Sequence, residues 1–337
     1  MKKTAYLTSL FLSLSFAVAC SAPTPFPLLP SRTAFHPALK TFNRPAPQED
    51  FDFRSLIPRS PVDLKKVPPV LLEGESLPSL PSTPQPKFLT YMTYEALDNN
   101  LFQDLYRVVN TLELIGSNPS MNLLAQTDNW KENNTARYLI SKDGNFGKVN
   151  SPYQKLGEEM ENSGDPDVFS GAVNWAFANY PARMNWLNIS THGLGFAGIN
   201  TDDNPESNMN IIQFNTALQK GLQQRKLDMI SFDACLMATV EVASELQDAA
   251  NIMVGSEDST FYWGYGYYQT FSKLAQKEMA PEEIARSLVM DVNNKGAGNQ
   301  TYTISATDLR KMALVEQAID ELAVVLRKNL PQHRAAI

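Results

Sequence analysis

Short apolar segments with the spacing of β-strands alternate with longer segments of helical spacing through most of this 337-residue chain. Strands that alternate with helices favour a mostly parallel sheet covered by helices on both faces. The pattern begins at Lys87 and continues for about 250 residues, which suits one doubly wound α/β domain. The expected strands are 88–94, 121–126, 137–141, 186–191, 227–233, 252–255 and 302–305, and the expected helices are 97–114, 153–178, 210–225, 237–250, 267–277, 281–293 and 308–328.

The first 20 residues are interpreted as an export signal rather than as part of the fold. Lys2 and Lys3 precede an apolar run that ends at Ala19 and is short for a membrane span. Residues 17–20 read Ala-Val-Ala-Cys, which resembles a bacterial lipoprotein signal in which the cysteine is acylated. This interpretation predicts lipidation of Cys20, a lipid anchor on a membrane surface and a location in the bacterial cell envelope. An ordinary signal peptide cut near Ala19 is the alternative.

A proline-rich linker is expected between this signal peptide, residues 1–20, and the folded domain, residues 87–337. Residues 21–86 contain most of the 22 prolines and lack apolar periodicity, so they are predicted to be disordered and to act as an extended tether. A pro-segment that covers a functional site is the alternative for this region.

The charge balance argues against a nucleic-acid partner. The formal net charge is -7, and no run of Lys and Arg residues is present to contact phosphates. Nucleic acid is therefore not an expected partner.

Cysteine and histidine are scarce, which makes the ones inside the predicted domain informative. The two cysteines are Cys20 and Cys235, so lipidation of Cys20 leaves Cys235 as a thiol without a disulfide partner in the chain. Among three histidines only His192 lies inside the domain, since His36 falls in the linker and His333 near the chain end.

His192 and Cys235 each follow an apolar strand-like segment. The carboxyl ends of strands in an open parallel sheet form its ligand sites, so neighbouring strands would bring the two side chains together. An imidazole beside a thiol suits nucleophilic catalysis, and a helix starting at Cys235 would stabilise the thiolate. The backbone N–H groups of Gly193 and Cys235 are candidate donors to an oxyanion. A buried structural cysteine and a simple His-Gly turn are the alternatives.

The motifs around these two residues resemble those of the clostripain family of cysteine peptidases, relatives of caspases, legumain and gingipains. The resemblance covers about Lys87 to Lys328 and implies a caspase-like α/β/α sandwich. It also implies that Cys235 is the nucleophile, that a thioester acyl-enzyme forms, and that His192 is the acid/base partner. The motifs are His192-Gly193, Asp233-Ala234-Cys235-Leu236-Met237, Glu241-Val242-Ala243, Tyr91-Met92 with Asp98-Asn99-Asn100-Leu101, and Val254-Gly255-Ser256-Glu257.

The resemblance further implies cleavage of proteins or peptides after Arg or Lys, which requires an anion near the bound side chain. Asp233 is the candidate, because side chains two residues apart on a strand project to the same side and a carboxylate pairs with a basic group. Capping of the following helix is the alternative role for Asp233. Glu257 and Asp258, at the end of the next strand, are further candidates for the same pocket.

Family resemblance also suggests processing positions and a question about calcium. Relatives are often matured by a cut after a basic residue between the histidine and the cysteine, and Lys220, Arg225 and Lys226 lie there; a solvated helix end is the alternative. No cofactor is expected. Some relatives need calcium, and the acidic residues 202–206 are a candidate site for it. Because these residues match no strict calcium-loop spacing, a solvated loop is the expected structure.

Two other function classes remain beside the peptidase. One is a catalytically silent lipoprotein that keeps the peptidase fold as a surface binding or scaffolding module; retention of both His192 and Cys235 argues against it. The other is a non-peptidase thiol transferase, which only the cysteine supports.

Overall fold

The protein is built around one large β-sheet in a computed structural model that describes residues 74–80, 84–102, 104–129, 135–145, 148–157, 162–260, 265–294 and 303–334. All of them belong to one compact unit, Phe53–Ile337. The strands are β1 (Lys87–Leu97), β2 (Met121–Asn129), β3 (Ala136–Leu139), β4 (Tyr153–Lys155), β5 (Ala182–Ser190), β6 (Ile199–Asp203), β7 (Glu206–Met209), β8 (Leu227–Asp233), β9 (Ala250–Gly255) and β10 (Ser305–Asp308).

Eight strands form the main sheet in the order β10-β9-β8-β5-β1-β2-β3-β4, and β6 and β7 form a separate hairpin. The five central strands, from β9 to β2, are mutually parallel, whereas β10, β3 and β4 each run antiparallel to their inner neighbour. The predicted mostly parallel sheet is confirmed. The chain direction across the sheet reverses at β1, which lies between β2 and β5, and such a switch point opens a crevice beyond the carboxyl ends of the strands.

Helices cover both faces of the sheet, as the alternation of elements predicts. One apolar core joins the sheet to α2, α3 and α4, and includes Phe169, Phe214 and Leu246; the other joins it to α1, α5 and α6, and includes Val108 and Phe271. The helices are α1 (Asp104–Glu113), α2 (Pro166–Asn179), α3 (Ile211–Leu222), α4 (Val240–Leu246), α5 (Tyr267–Leu274), α6 (Pro281–Asn294) and α7 (Met312–His333).

The sequence predicts a helical region over 153–178 with a break near 164–166, and this prediction is wrong for the part before the break. Tyr153–Lys155 forms the edge strand β4, and α2 begins only at Pro166. The start is fixed by Asp165, whose carboxylate accepts hydrogen bonds from the backbone N–H groups of Asp167 and Val168. Pro166 at the first helical position suits this start, because proline has no N–H to leave unpaired there.

Residues 202–206, expected to form a solvated loop, instead contribute to the β6–β7 hairpin. Asp203 pairs with Glu206 across the turn, and Asp202 is only 1% exposed. The prediction of a solvated loop is therefore wrong for Asp202, since its carboxylate is held inside the protein by hydrogen bonds from Ser163.

The end of the predicted linker lies alongside the sheet. The backbone N–H of Tyr153 donates to the carbonyl oxygen of Glu75 at 2.8 Å, and the N–H of Leu77 donates to the carbonyl of Tyr153 at 3.1 Å. Residues 74–77 thus extend the β4 edge, while the signal peptide, Cys20 and linker residues before 74 lie outside the described residues. Among the helices that are described, none combines the length and apolar character needed to cross a membrane.

Candidate active site

The ends of β5 and β8 bring His192 and Cys235 to the same edge of the sheet. The two strands are parallel neighbours, and Ser190 pairs with Asp233 at their last register position. His192 and Cys235 each lie two residues beyond this pair, at the carboxyl edge of the sheet, where open α/β sheets bind their ligands. The sequence indicates both strand ends, but the structure supplies their adjacency.

A connecting segment separates Cys235 from the next helix, so the expected helix start at this residue is wrong. α4 begins at Val240, and its N-cap is Thr239. The chain cannot continue directly into a helix because Leu236 has a left-handed backbone with φ of 62°. Instead, the N–H of Leu236 donates to the carbonyl of Asp258 at 3.1 Å, which ties this segment to the chain after β9.

Thr260 supplies the donor that the helix was expected to supply. Its backbone N–H donates to Cys235 Sγ at 3.4 Å, and its Oγ1 lies 3.8 Å from the same sulfur. A donor aimed at the sulfur can stabilise negative charge that develops there during a nucleophilic attack. A contact between Thr260 and the sulfur is not predicted from the sequence; the place of Thr260 shortly after β9, the strand next to β8, is the signal that could have indicated it.

His192 is oriented by a residue from a third strand end. Its Nε2 is hydrogen-bonded to Oδ1 of Asn100, which follows β1, the other neighbour of β5. An amide oxygen only accepts, so Nε2 carries the proton and Nδ1 is the basic nitrogen. Burial lowers the pKa of His192 to about 4, so the ring is neutral at neutral pH. From the sequence, Asn100 belongs to a motif shared with the family but has no predicted role.

Gly193 permits a close approach between the two strand ends. A Cβ atom at this position would lie 2.2 Å from the carbonyl oxygen of Cys235 and 3.1 Å from Cβ of Ala234. A side chain therefore cannot occupy this place without moving the backbone around Cys235. The two predicted oxyanion donors, Gly193 and Cys235, thus belong to chain segments in direct contact.

Asp233 is a buried carboxylate at the end of β8. It is 7% exposed, and its Oδ2 accepts a hydrogen bond from the hydroxyl of Tyr267 at 2.9 Å. The side chain of Asn188 donates to the same hydroxyl at 3.1 Å, so Asp233 belongs to a polar network under the strand ends. Because Thr239 caps α4, the alternative capping role for Asp233 is wrong.

Glu257 and Asp258 follow β9 as predicted, but their side chains have different surroundings. Glu257 Oε1 accepts a hydrogen bond from the Ser305 hydroxyl of β10 at 2.8 Å, whereas the Asp258 side chain is exposed. Burial raises the pKa of Tyr265, and the negative charges of Asp233 and Glu257 raise it further. Both carboxylates therefore act on the Tyr265 hydroxyl. Asp258 contacts the cysteine segment through its backbone, at Leu236.

The candidate processing residues lie in two settings. Lys220 is in the last turn of α3 and forms an exposed ion pair with Asp167, with 2.7 Å between Nζ and Oδ1. Arg225 and Lys226 lie in the short exposed connection between α3 and β8, where the Lys226 ammonium donates to the carbonyl of Gln247.

A metal site is not apparent in the part of the chain that the structure describes, because no group of three or more His, Cys, Asp or Glu side chains is placed to bind an ion. Asp202 is instead held beside Asp128. The N–H of Ser163 lies 2.7 Å from Asp202 Oδ2 and 3.1 Å from Asp128 Oδ2. Burial, followed by the charge of Asp202, raises the pKa of Asp128 well above its ordinary value.

A three-layer α/β/α fold with a histidine and a cysteine at the ends of adjacent parallel strands defines the caspase-like class of α/β proteins. Within it, the model of the Clostripain family matches residues 91–336, and this chain belongs to the clostripain family. Clostripain from Hathewaya histolytica is 24% identical over 298 residues, which cover 71% of this chain and 56% of that protein. The chain thus spans little more than half the length of this relative.

Solved structures confirm the caspase-like fold. A secreted C11 cysteine protease from Bacteroides thetaiotaomicron, in complex with an irreversible peptide inhibitor, is 24% identical with a TM-score of 0.54, and the match covers 69% of each chain. An inactive zymogen C11 protease from Parabacteroides distasonis is 22% identical with a TM-score of 0.55, and the match covers 73% of this chain and 67% of that one.

Proposed function

We propose that this protein is a cysteine endopeptidase that cleaves proteins or peptides after Arg or Lys. The observation that carries the proposal is the pairing of Ser190 with Asp233, which leaves His192 and Cys235 at equivalent positions beyond adjacent strands. Membership of the clostripain family supports it, as does a similar structure whose protein is described as a cysteine protease.

In the proposed reaction the neutral His192 ring acts first as a base. Nδ1 takes the thiol proton of Cys235 while Sγ attacks the carbonyl carbon of the substrate. The C–N bond then breaks, the imidazolium gives its proton to the leaving amine, and a thioester to Cys235 remains. Water, deprotonated by His192, attacks the thioester and releases the acid product with the free thiol.

Three groups would assist this sequence without changing the covalent steps. The N–H groups of Gly193 and Cys235 are proposed to bind the oxyanion that develops during each attack. Thr260, whose N–H already points at Sγ, would stabilise the sulfur as it gains negative charge.

Asp233 is proposed to select the basic side chain of the substrate. Its negative charge in a largely buried setting would attract a guanidinium or ammonium more strongly than it would in water. The Tyr267 hydroxyl fixes the orientation of the carboxylate. Glu257 and Asp258 are proposed as secondary contributors to the same pocket.

The proposed location is the exported side of a bacterial cell envelope, with a lipid on Cys20. The support is the sequence of residues 17–20 and the description of a similar protease as secreted. Mass spectrometry of the mature N-terminus is the test: an acylated Cys20 is expected, and an unmodified Cys20 or a start at another residue would contradict the anchor.

Self-processing between the histidine and cysteine strands is proposed at Arg225 or Lys226 rather than at Lys220. The first two lie in an exposed connection, whereas Lys220 is within a helix, and a peptide bond in a helix must unwind to enter a protease cleft. Terminal sequencing of wild-type and Cys235→Ala protein tests this. New termini after 225 or 226 in the wild type alone are expected; identical cleavage in both proteins would contradict it.

Turnover of reporter peptides tests the proposed activity. The full chain should release dye from Arg- and Lys-linked reporters, and Cys235→Ala should lower kcat/KM at least about a thousandfold, because it removes the nucleophile. Cys20→Ser, which alters the other cysteine, is the matched control and should retain full turnover. Absence of turnover by wild-type protein, or equal turnover by Cys235→Ala, would reject the proposal and favour a silent binding module.

A further inference from the structure

Two rows of polar side chains cross the centre of the sheet just before its carboxyl edge. Parallel strands that are buried on both faces ordinarily carry apolar side chains. Here β1, β5 and β8 each place a polar residue in register twice in succession, and residues in register project to the same face. The first row is Thr93, Asn188 and Ser231, and the second is Glu95, Ser190 and Asp233; all six are at most 7% exposed. Buried polar groups are costly unless they are hydrogen-bonded, so these bonds indicate what the rows do.

A chain of hydrogen bonds links the first row to Asp233 in the second. The indole Nε1–H of Trp186 donates to Ser231 Oγ at 2.8 Å, and the Ser231 hydroxyl donates to Asn188 Oδ1 at 2.6 Å. Asn188 Nδ2 donates to the Tyr267 hydroxyl at 3.1 Å, and this hydroxyl donates to Asp233 Oδ2 at 2.9 Å. The chain therefore leads from the sheet interior to the carboxylate that is proposed to select basic substrates.

The donors of this chain all point toward Asp233. An indole N–H can donate but cannot accept, so Ser231 accepts from Trp186 and gives its own proton to Asn188. The amide oxygen of Asn188 thus faces Ser231, and its NH2 group faces Tyr267. The Tyr267 hydroxyl accepts from this amide and keeps its own proton for Asp233. The hydrogen bond that orients Asp233 therefore depends on the orientation of Asn188.

The second amide hydrogen of Asn188 leads to the other carboxylate of the second row. Nδ2 donates to Thr93 Oγ1 at 3.1 Å, and the Thr93 hydroxyl donates to Glu95 Oε1. Both amide hydrogens of Asn188 and its oxygen are therefore used. Rotation of this amide would break several buried hydrogen bonds at once, which makes Asn188 a rigid support for the groups around it.

We propose that Asn188 is a positioning residue for the selection of basic substrates by Asp233. The inference rests on the proposed function, in which Asp233 attracts an Arg or Lys side chain. Asn188 is 0% exposed, so it acts through Tyr267 rather than by touching the substrate. A carboxylate that is already held in one direction loses less conformational freedom when it pairs with a basic group. Loss of Asn188 should therefore weaken the preference for basic substrates.

The alternative role for this chain is purely structural, because Tyr267 is the first residue of α5 and the chain also fastens this helix to the sheet. A structural defect reduces the amount of active enzyme and lowers the turnover of every reporter by the same factor. The ratio of kcat/KM for an Arg-linked reporter to kcat/KM for a Gln-linked reporter does not depend on that amount, so this ratio separates the two roles.

Tyr267→Phe, which removes the donor to Asp233, should lower this ratio about 10-fold, and Asn188→Leu should lower it about 5-fold. Thr90→Val is the matched control. It removes a buried hydroxyl of β1 that donates to the carbonyl oxygen of Tyr180, away from the chain, and should keep the wild-type ratio. Circular dichroism and thermal unfolding of each full-length variant accompany the kinetics.

A double-variant cycle tests whether Asn188 acts through Tyr267. Once the Tyr267 hydroxyl is absent, the path from Asn188 to Asp233 is cut. Asn188→Leu combined with Tyr267→Phe should therefore lower the ratio no further than Tyr267→Phe alone. A double variant whose loss is the product of the two single losses would overturn the inference.

Two other results would also overturn it: a wild-type ratio in Asn188→Leu protein, or an equal fall in Thr90→Val protein. If the wild type prefers Arg-linked reporters and Asn188→Leu keeps that preference, the positioning role alone fails. If the wild type shows no turnover or no preference, the proposed function fails and the positioning role fails with it.

Discussion

The Nε2 atom of His192 is hydrogen-bonded to Oδ1 of Asn100, and these residues follow the adjacent strands β5 and β1. The nucleophile candidate Cys235 follows β8 on the other side of β5. Three consecutive strands therefore contribute, in spatial order, an amide acceptor, an imidazole and a thiol. In the proposed mechanism the base is the ring nitrogen that faces away from Asn100.

Replacement of Asn100 by alanine should impair turnover more than binding. Loss of the acceptor frees the His192 ring to rotate and to change tautomer, so kcat should fall about 10- to 100-fold while KM changes little. Steady-state kinetics with an Arg-linked reporter measure both constants. Asn145→Ala, at an exposed asparagine, is the control; an equal loss in that variant, or a change confined to KM, would contradict a positioning role for Asn100.

The acidic limb of the pH profile of kcat/KM should lie at an unusually low pH. Because burial lowers the pKa of His192 to about 4, the base stays unprotonated well below the ordinary histidine value of about 6.5. Activity should therefore be half-lost near pH 4, provided that circular dichroism shows folded protein there. A limb near pH 6.5 in folded protein would indicate that the imidazole is solvated or paired with a charge in the working enzyme.

Asp233→Asn should remove the preference for basic substrates. The amide keeps the size of the side chain but loses the charge, so kcat/KM for Arg-linked reporters should fall about 100-fold or more. Reporters with an uncharged residue before the cut should be affected much less. Asp228→Asn, at the opposite end of β8, is the matched control and should keep the preference. An equal fall in kcat/KM on all reporters would instead indicate that Asp233 has only a structural role.

The sequence predicts the strands that carry the site but not everything that surrounds them. Apolar periodicity predicts β5 and β8 because both strands are buried on both faces in the sheet centre. The start of α4 is missed, because the left-handed turn at Leu236 depends on contacts with Asp258 from a distant segment. Asn100 and Thr260 are missed for the same reason: their relation to His192 and Cys235 exists only after distant strands pair.

Gly193→Ala should destabilise the protein and lower its activity, because the backbone at Gly193 lies close to the backbone at Cys235. The new Cβ would lie 2.2 Å from the Cys235 carbonyl oxygen, a backbone atom that cannot move aside cheaply. The free energy of unfolding should fall by about 1–3 kcal/mol, and reporter turnover should fall with it. Gly144→Ala is the matched control, since nothing lies within 4 Å of a Cβ there. Equal stability of both variants in urea unfolding would contradict the predicted clash.

Asp128→Asn should stabilise the protein at neutral pH. Because burial and the charge of Asp202 raise the pKa of Asp128, the folded state holds a proton at pH values where the unfolded state has lost it. Stability from this group is therefore greatest at low pH and declines as the pH rises through the folded pKa. An amide does not ionise, so the variant should not lose stability in this way as the pH rises. Its oxygen can still accept the hydrogen bond from Thr135.

The expected gain at pH 7 is about 1 kcal/mol or more, with a flatter dependence of unfolding free energy between pH 4 and pH 7. Urea unfolding at several pH values measures both quantities. Asp143→Asn is the control, and it should change stability in the opposite direction. The reason is that hydrogen bonds, first from the Asn150 side chain, lower the pKa of the exposed Asp143. If Asp128→Asn loses stability at pH 7 while keeping the wild-type slope, the pKa of Asp128 is not raised in the folded state.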